Sequence, residues 1–278
     1  MRVSINVSIA TVVVMVALVR QTRAGIIFSE SFNYTMTGDN CDLDGQGGWV
    51  GIGCGSSGNA DVVSPGLEYL DYFSEGNTFQ GKKGNGTANR TSGMAKINNL
   101  FTGDGIVYVS TLLQGVLTGS QQGIGGRMAI RQKSAFTQPH ILLQNDGDGL
   151  AAGFGNGNNV VFGKDTNPVI HLLVARIQVN SSGEESLQAV LDPILSAGEP
   201  DWSDTVTFPT RMAEVSGGIF SDIYMDMSAG NRSTSKLDEI RISMSWNEVI
   251  TGVPEPSIFG ILLAGAFGIG LVSRGKRN

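Results

Sequence analysis

Between residue 25 and about residue 250 the chain holds no apolar pattern of helical period. It offers instead short runs of β-branched and aromatic residues, at 26–32, 106–114, 127–132, 140–144, 169–179, 186–191, 219–227 and 237–244, parted by clusters of Gly, Asn, Asp and Ser. A chain punctuated in this way cannot build a helical bundle, and eight short strands with turn-rich connections predict an antiparallel two-sheet sandwich. In the run 219–227, Ile219, Ile223, Met225 and Met227 fall on one face and Asp222 and Asp226 on the other, which is the period of a half-buried strand. The run 169–179 is apolar on both faces and is expected to lie inside a sheet. Gly supplies 39 of 278 residues, about twice its usual share, while 41% hydrophobic residues still provide one sizeable core.

Both ends differ from this body. Residues 1–24 carry no carboxylate, place Arg2 near the start, and continue apolar from 7 to 19. That pattern predicts a secretory signal peptide, with Thr22, Arg23 and Ala24 presenting small residues to signal peptidase and cleavage after Ala24. A retained anchor is disfavoured because 13 apolar residues fall short of the roughly 20 that span a bilayer. At the other end, residues 253–278 run from Val253 and the motif Pro254, Glu255, Pro256 through an apolar stretch at 258–272 to Arg274, Lys276 and Arg277. Fifteen residues in a helix reach about 22 Å, so the segment spans only with thinning or snorkelling at its flanks. The basic residues hold the far end in the cytoplasm and place the body outside the membrane.

In that order, Pro254, Glu255 and Pro256, the apolar segment and the basic stop resemble the PEP-CTERM sorting signal of bacteria, with Gly275 interrupting the basic tail. The resemblance implies recognition by an exosortase, a membrane cysteine transpeptidase or protease, in a cell that makes exopolysaccharide. The two prolines favour extended backbone that suits a protease groove, and Glu255 is the one charge such a groove would read.

A second resemblance covers most of residues 25–250. The stretch from Phe28 to Tyr34 with Gly45 and Trp49, the stretch from His171 to Ile177, Asp192 and Pro193, and the stretch from Leu237 to Ser243 with Trp246 are similar to LamG-like, concanavalin-type jelly rolls. It implies two sheets whose first and last strands lie side by side, and a carbohydrate-binding or adhesive role.

Catalytic patterns are sparse. A jelly-roll glucanase presents carboxylates as Glu-x-Asp-x-x-Glu along one strand, because acid and nucleophile must flank one bond. Glu68, Asp71 and Glu75 have the wrong spacing, and the adjacent Asp238 and Glu239 are expected on opposite faces of a strand. His140 and His171, the two histidines, fall within expected strands and read as packed or edge residues, without a Gly-x-Ser-x-Gly elbow to serve. No catalytic residue and no enzyme activity is therefore expected. In an exported body, Cys41 and Cys54 are expected to close one disulfide, with two free thiols as the alternative. No cofactor is required. Calcium is the one metal with candidate ligands, at Asp39, Asp42 and Asp44 and on a flexible loop at Asp146 and Asp148, although neither set completes an EF-hand. Trp49, Trp202, Trp246, Tyr69 and Tyr72 are expected mainly in the core, with a sugar-stacking platform as the minority reading.

Charge sharpens this picture. Without Arg2, Arg20, Arg23, Arg274, Lys276 and Arg277, 13 basic residues face 25 acidic ones, which excludes nucleic acid as a partner. The expected protein is an exported, noncatalytic surface or matrix component, membrane-anchored as a precursor, whose partners are signal peptidase, an exosortase, the membrane and polysaccharide. A calcium-dependent carbohydrate-binding module is the alternative, and a polysaccharide-processing enzyme a further one.

Overall fold

The computed structural model describes residues 25–36, 42–52, 58–83, 91–96, 105–116, 126–131, 140–146, 149–154, 158–163, 169–179, 185–202, 205–208, 222–227 and 234–253. The expected signal peptide, the sorting motif Pro254, Glu255 and Pro256 with its tail, Cys41, Cys54, Asp39 and Asp148 lie outside them. No helix among the described residues is long and apolar enough to cross a membrane.

These residues form an antiparallel two-sheet β fold. The strands are β1 (Ile26–Glu30), β2 (Val50–Ile52), β3 (Gly58–Val63), β4 (Thr78–Lys83), β5 (Thr91–Lys96), β6 (Gly105–Val116), β7 (Gly126–Arg131), β8 (His140–Asp146), β9 (Gly149–Phe154), β10 (Asn158–Gly163), β11 (Ile170–Val179), β12 (Glu185–Leu191), β13 (Thr205–Phe208), β14 (Asp222–Met227) and β15 (Thr234–Ser243). One short helix, α1 (Trp246–Thr251), follows β15. The first sheet runs β13-β12-β11-β6-β15-β4-β3 with β1 also on β15, and the second runs β10-β9-β8-β7-β14-β5-β2. Each expected apolar run overlaps a strand of this set, with residue 132 and residues 219–221, including Ile219, lying outside the described residues. Ile26 opposite Ser243 and Glu30 opposite Ile240 bring the first and last strands side by side, as the jelly-roll resemblance implied.

The core between the sheets is built from alternate residues of facing strands. Val107, Val109 and Leu113 of β6, Leu173, Ala175 and Ile177 of β11, and Leu237, Ile240 and Ile242 of β15 meet Met128, Ile130, Leu143, Ala152, Phe154 and Val160 of the second sheet. Burying one such side chain stabilises the fold by about 1.5–3 kcal/mol. β11 is interior, between β12 and β6, and its other face is also covered. Leu172 and Val174 pack with Leu112, Tyr108, Leu67, Tyr72, Trp246, Val249 and Ile250 in a second apolar layer on the outer side of the first sheet. That layer is roofed by α1 and by the connection between β3 and β4, and it accounts for the two apolar faces of the run 169–179.

Two expectations need correction. Asn145 and Asp146 do not sit on a flexible loop: β8 pairs with β9 as far as Asp146 opposite Gly149, so the two strands form a hairpin with only two residues between them. A short loop rich in Asp and Gly is a strong hairpin signal. Asp238 and Glu239 are likewise not a plain pair on opposite faces. The register of β15 on β6 shifts between Asp238 and Arg241, and Glu239 has φ +48°. A β-bulge there suspends the alternation on which the expectation rested.

Candidate functional site

The bulge lies where β15 changes partners. Residues 234–237 of β15 pair with β4, and Ile240 to Ser243 pair with β1. Between the ends of β4 and β1 the edge of β15 lacks a neighbouring strand, and residues 64–77 fold against it. Both bulge carboxylates turn to this connection. Asp238 Oδ2 accepts the Leu67 N–H at 2.7 Å and its Oδ1 accepts the Glu239 N–H at 2.9 Å. Glu239 Oε1 accepts the Glu75 N–H at 2.7 Å, and Oε2 accepts Arg241 Nη2–H at 3.0 Å. Gly66 is required by this approach, because a Cβ there would stand 2.9 Å from Asp238 Oδ2.

Arg241 ties the connection to α1. It donates Nη2–H to the Phe73 carbonyl and Nη1–H to the Ile250 carbonyl at 2.7 Å, and its guanidinium stands 4.2 Å from the centre of the Tyr72 ring. Desolvation dominates the electrostatics of this buried group. Burial pushes the Asp238 carboxyl up to about 8, against the Leu67 N–H, which favours the charged form. It also pushes Glu239 up, against the Glu75 N–H and the Arg241 charge. Burial pushes the Tyr72 hydroxyl up to about 12.

The same region joins the two ends of the body. Ser243 Oγ donates to Glu248 Oε2 at 2.6 Å, with the Gly25 carbonyl 3.4 Å from the same hydroxyl. Gly25 is the residue after the expected cleavage site. α1 ends at Gly252, whose φ of +69° lets its N–H return to the Glu248 carbonyl at 2.9 Å, one residue before Val253 and the expected sorting motif. Residues 25 and 253 are thus both held on β15 and α1.

The other candidates are distributed elsewhere. Asp42 is buried and Asp44 exposed, and Asp39 lies outside the described residues. Among the described residues no group of three or more His, Cys, Asp or Glu side chains is gathered as a metal site. Gln46 clasps this segment by bonding both the N–H and the carbonyl of Thr35, at 3.0 and 2.9 Å, and the Asp42 carbonyl. Glu68, Asp71 and Glu75 are exposed on the connection 64–77. His171 Nδ1 stands 2.6 Å from Asp192 Oδ2, and Asp192 Oδ1 accepts the Leu172 N–H at 2.9 Å. Of the aromatics, Trp49, Trp246 and Tyr72 are core, whereas Trp202 and Tyr69 are half-buried. Trp49 Nε1–H and the Tyr34 hydroxyl both donate to Glu30 Oε2, at 2.7 and 2.5 Å, which fixes β1 to the loop that follows it. Trp202 Nε1–H and the Tyr108 hydroxyl converge on Glu199 Oε1 at 2.9 and 2.8 Å, with Trp202 edge-on to Trp246.

Sequence reasoning missed one further arrangement, which only strand register creates. In the second sheet Asp222 of β14 lies between Lys96 of β5 and Arg131 of β7, and Asp226 lies between Ser92 and Arg127. Arg131 is in turn opposite His140, and Arg127 opposite Gln144. These positions alternate with Met128 and Ile130, which are buried in the core.

No protein-family model matches the chain. No curated protein sequence matches it either. Among solved structures, the globular domain of T. cruzi calreticulin is similar over 81% of this chain and 91% of its own, at 11% identity and a TM-score of 0.49. An endo-β-1,4-glucuronan lyase from the fungus Trichoderma reesei is similar over 81% of this chain and 98% of its own, also at 11% identity and 0.49. Peanut lectin is similar over 78% and 97% of the two chains, at 10% identity and 0.45.

Proposed function

We infer that the chain is the precursor of an exported, noncatalytic bacterial surface or matrix protein, delivered by its N-terminal segment and processed by an exosortase at Pro254, Glu255 and Pro256. The observation that carries this reading is the placement of the motif. The helix α1 is capped at Gly252, and in the sequence the motif begins two residues later. The two prolines favour extended backbone, the form that a protease groove takes. The body is what is delivered, with β15 and α1 packed at its C-terminal end. The test is the C-terminal mass of the surface form in cells with and without the exosortase. Loss of the residues beyond the motif only when the enzyme is present supports the reading. A tail intact through Asn278 in both overturns it and leaves a plain anchor.

A second reading, carbohydrate binding, is favoured by the ladder of the second sheet. The rows through Asp222 (Arg131, His140) and Asp226 (Arg127, Gln144) flank Tyr224 at alternate positions of β14, and these are residue types that hydrogen-bond sugar hydroxyls and stack on sugar rings. A glycan array run with and without a chelator separates a calcium-dependent binder, a calcium-independent binder and an inert display protein. Polysaccharide cleavage by the parent protein would instead move the reading to an enzyme.

A further inference from the structure

On the outer side of the first sheet, Leu70 is 82% exposed, Phe73 56% and Val253 63%. These are not frayed ends. Leu67 and Tyr72 of the same connection are packed in the outer apolar layer, and the Tyr72 N–H returns to the Tyr69 carbonyl at 3.1 Å, closing a turn that carries Leu70 at its tip. Phe73 and the last residues of α1 flank a single guanidinium. Arg241 donates to the carbonyls of Phe73 and Ile250, and a Cβ on Gly252 would lie 3.0 Å from Arg241 Cζ. The Phe73 backbone is therefore tied through Arg241 to the end of α1, next to Val253 in the chain, and its ring is exposed. From Val253 only four residues, 254–257, separate the body from the apolar segment 258–272, a tether of roughly 13 Å when fully extended.

We propose that Leu70, Phe73 and Val253 form a docking surface for the bilayer interface, which seats the body against the membrane while the tail is inserted. The proposal rests on the reading of 258–272 as a membrane segment. A tether this short keeps Val253 within roughly 13 Å of that segment and so brings the end of α1 and the connection tied to it close to the headgroup region, where an aromatic ring and aliphatic chains are favoured over water. The same connection exposes Glu68, Asp71 and Glu75, which anionic headgroups repel. Intrinsic affinity is thereby kept low, docking depends on the tether, and cutting the tail releases the body. Acidic side chains beside apolar ones thus make a reversible seat.

The test uses the full chain reconstituted into vesicles of phosphatidylethanolamine and phosphatidylglycerol, with or without bromine on the lipid chains. Flotation first establishes that the chain is inserted. Phe73→Trp, with Leu70→Trp as a second probe, then adds indole emission on the surface, and Val161→Trp adds it at an exposed position of β10 in the second sheet. The expected result is that the emission added at position 73 or 70 is largely lost in brominated vesicles and that added at position 161 is retained. Flotation without quenching at positions 73 and 70, or equal quenching at all three, would overturn the docking surface while the tail reading stands. Failure to float would overturn the tail reading and this inference with it.

Discussion

Glu239 and Arg241 form an ion pair 3.0 Å long in which each side chain is only 2% exposed, across a bulge that leaves the two residues on the same side of β15. Each also bonds to the connection 64–77, Glu239 through the Glu75 N–H and Arg241 through the Phe73 carbonyl. Arg241→Met leaves the Glu239 charge buried without its partner, which is expected to cost about 3–5 kcal/mol in urea denaturation. Glu239→Gln retains an oxygen for the Glu75 N–H and should cost less. If Arg241→Met loses under about 1 kcal/mol, no more than an exposed pair contributes, the bridge does not hold the connection in place.

Stability should fall with rising pH because of Asp238. Its carboxyl titrates near 3.8 in the unfolded chain and is pushed up to about 8 in the fold, first by burial. Between those values the folded state holds a proton that the unfolded state has released, so folding weakens as pH rises through that window. Glu239 is displaced in the same direction and adds to the effect. Asp238→Asn removes the titration, and its denaturation free energy should decline less steeply over that range than that of the parent. Equal slopes would show that the carboxyl does not enter the fold protonated.

Gly252→Ala is expected to destabilise by about 1–3 kcal/mol, since a side chain is strained in the left-handed region. The new Cβ also meets Arg241 Cζ at 3.0 Å, and that guanidinium is fixed by the Phe73 and Ile250 carbonyls. In an Arg241→Met background the contact is relieved and the penalty should shrink toward its backbone part. A double-mutant cycle by thermal denaturation reads the difference.

Leu172→Ala and Leu173→Ala should each cost about 2–5 kcal/mol, because both side chains are fully buried although they point to opposite faces of β11. A strand with one wet face would lose stability in one variant and almost none in the other. Comparable losses by chemical denaturation would demonstrate the outer apolar layer under α1.

The strands that were legible in the sequence are the apolar ones. Ile170–Val179, Gly105–Val116 and Glu185–Leu191 carry enough β-branched and aliphatic residues to declare themselves. Thr78–Lys83, Thr91–Lys96 and Gly149–Phe154 do not, since TFQGKK, TSGMAK and GLAAGF read as turn or loop by composition. Their neighbours make them strands: Phe79 opposite Val62 and Leu237, Met94 opposite Tyr224, Ala152 opposite Leu143. Strand propensity is largely a statement about such cross-strand contacts, which a single chain does not display.

By itself, the sequence determined the all-β class, the strands with enough apolar residues and the two-faced burial of β11, because each is written in local composition and period. Tertiary structure alone decided the bulge at Asp238 to Arg241, the charged rows between β14 and β7, and the bond of Arg241 to the Phe73 carbonyl. These depend on which residues a register shift or a long connection brings together across up to 171 positions of chain. Alternation along one strand carries no record of its partner, and a single inserted residue reverses it.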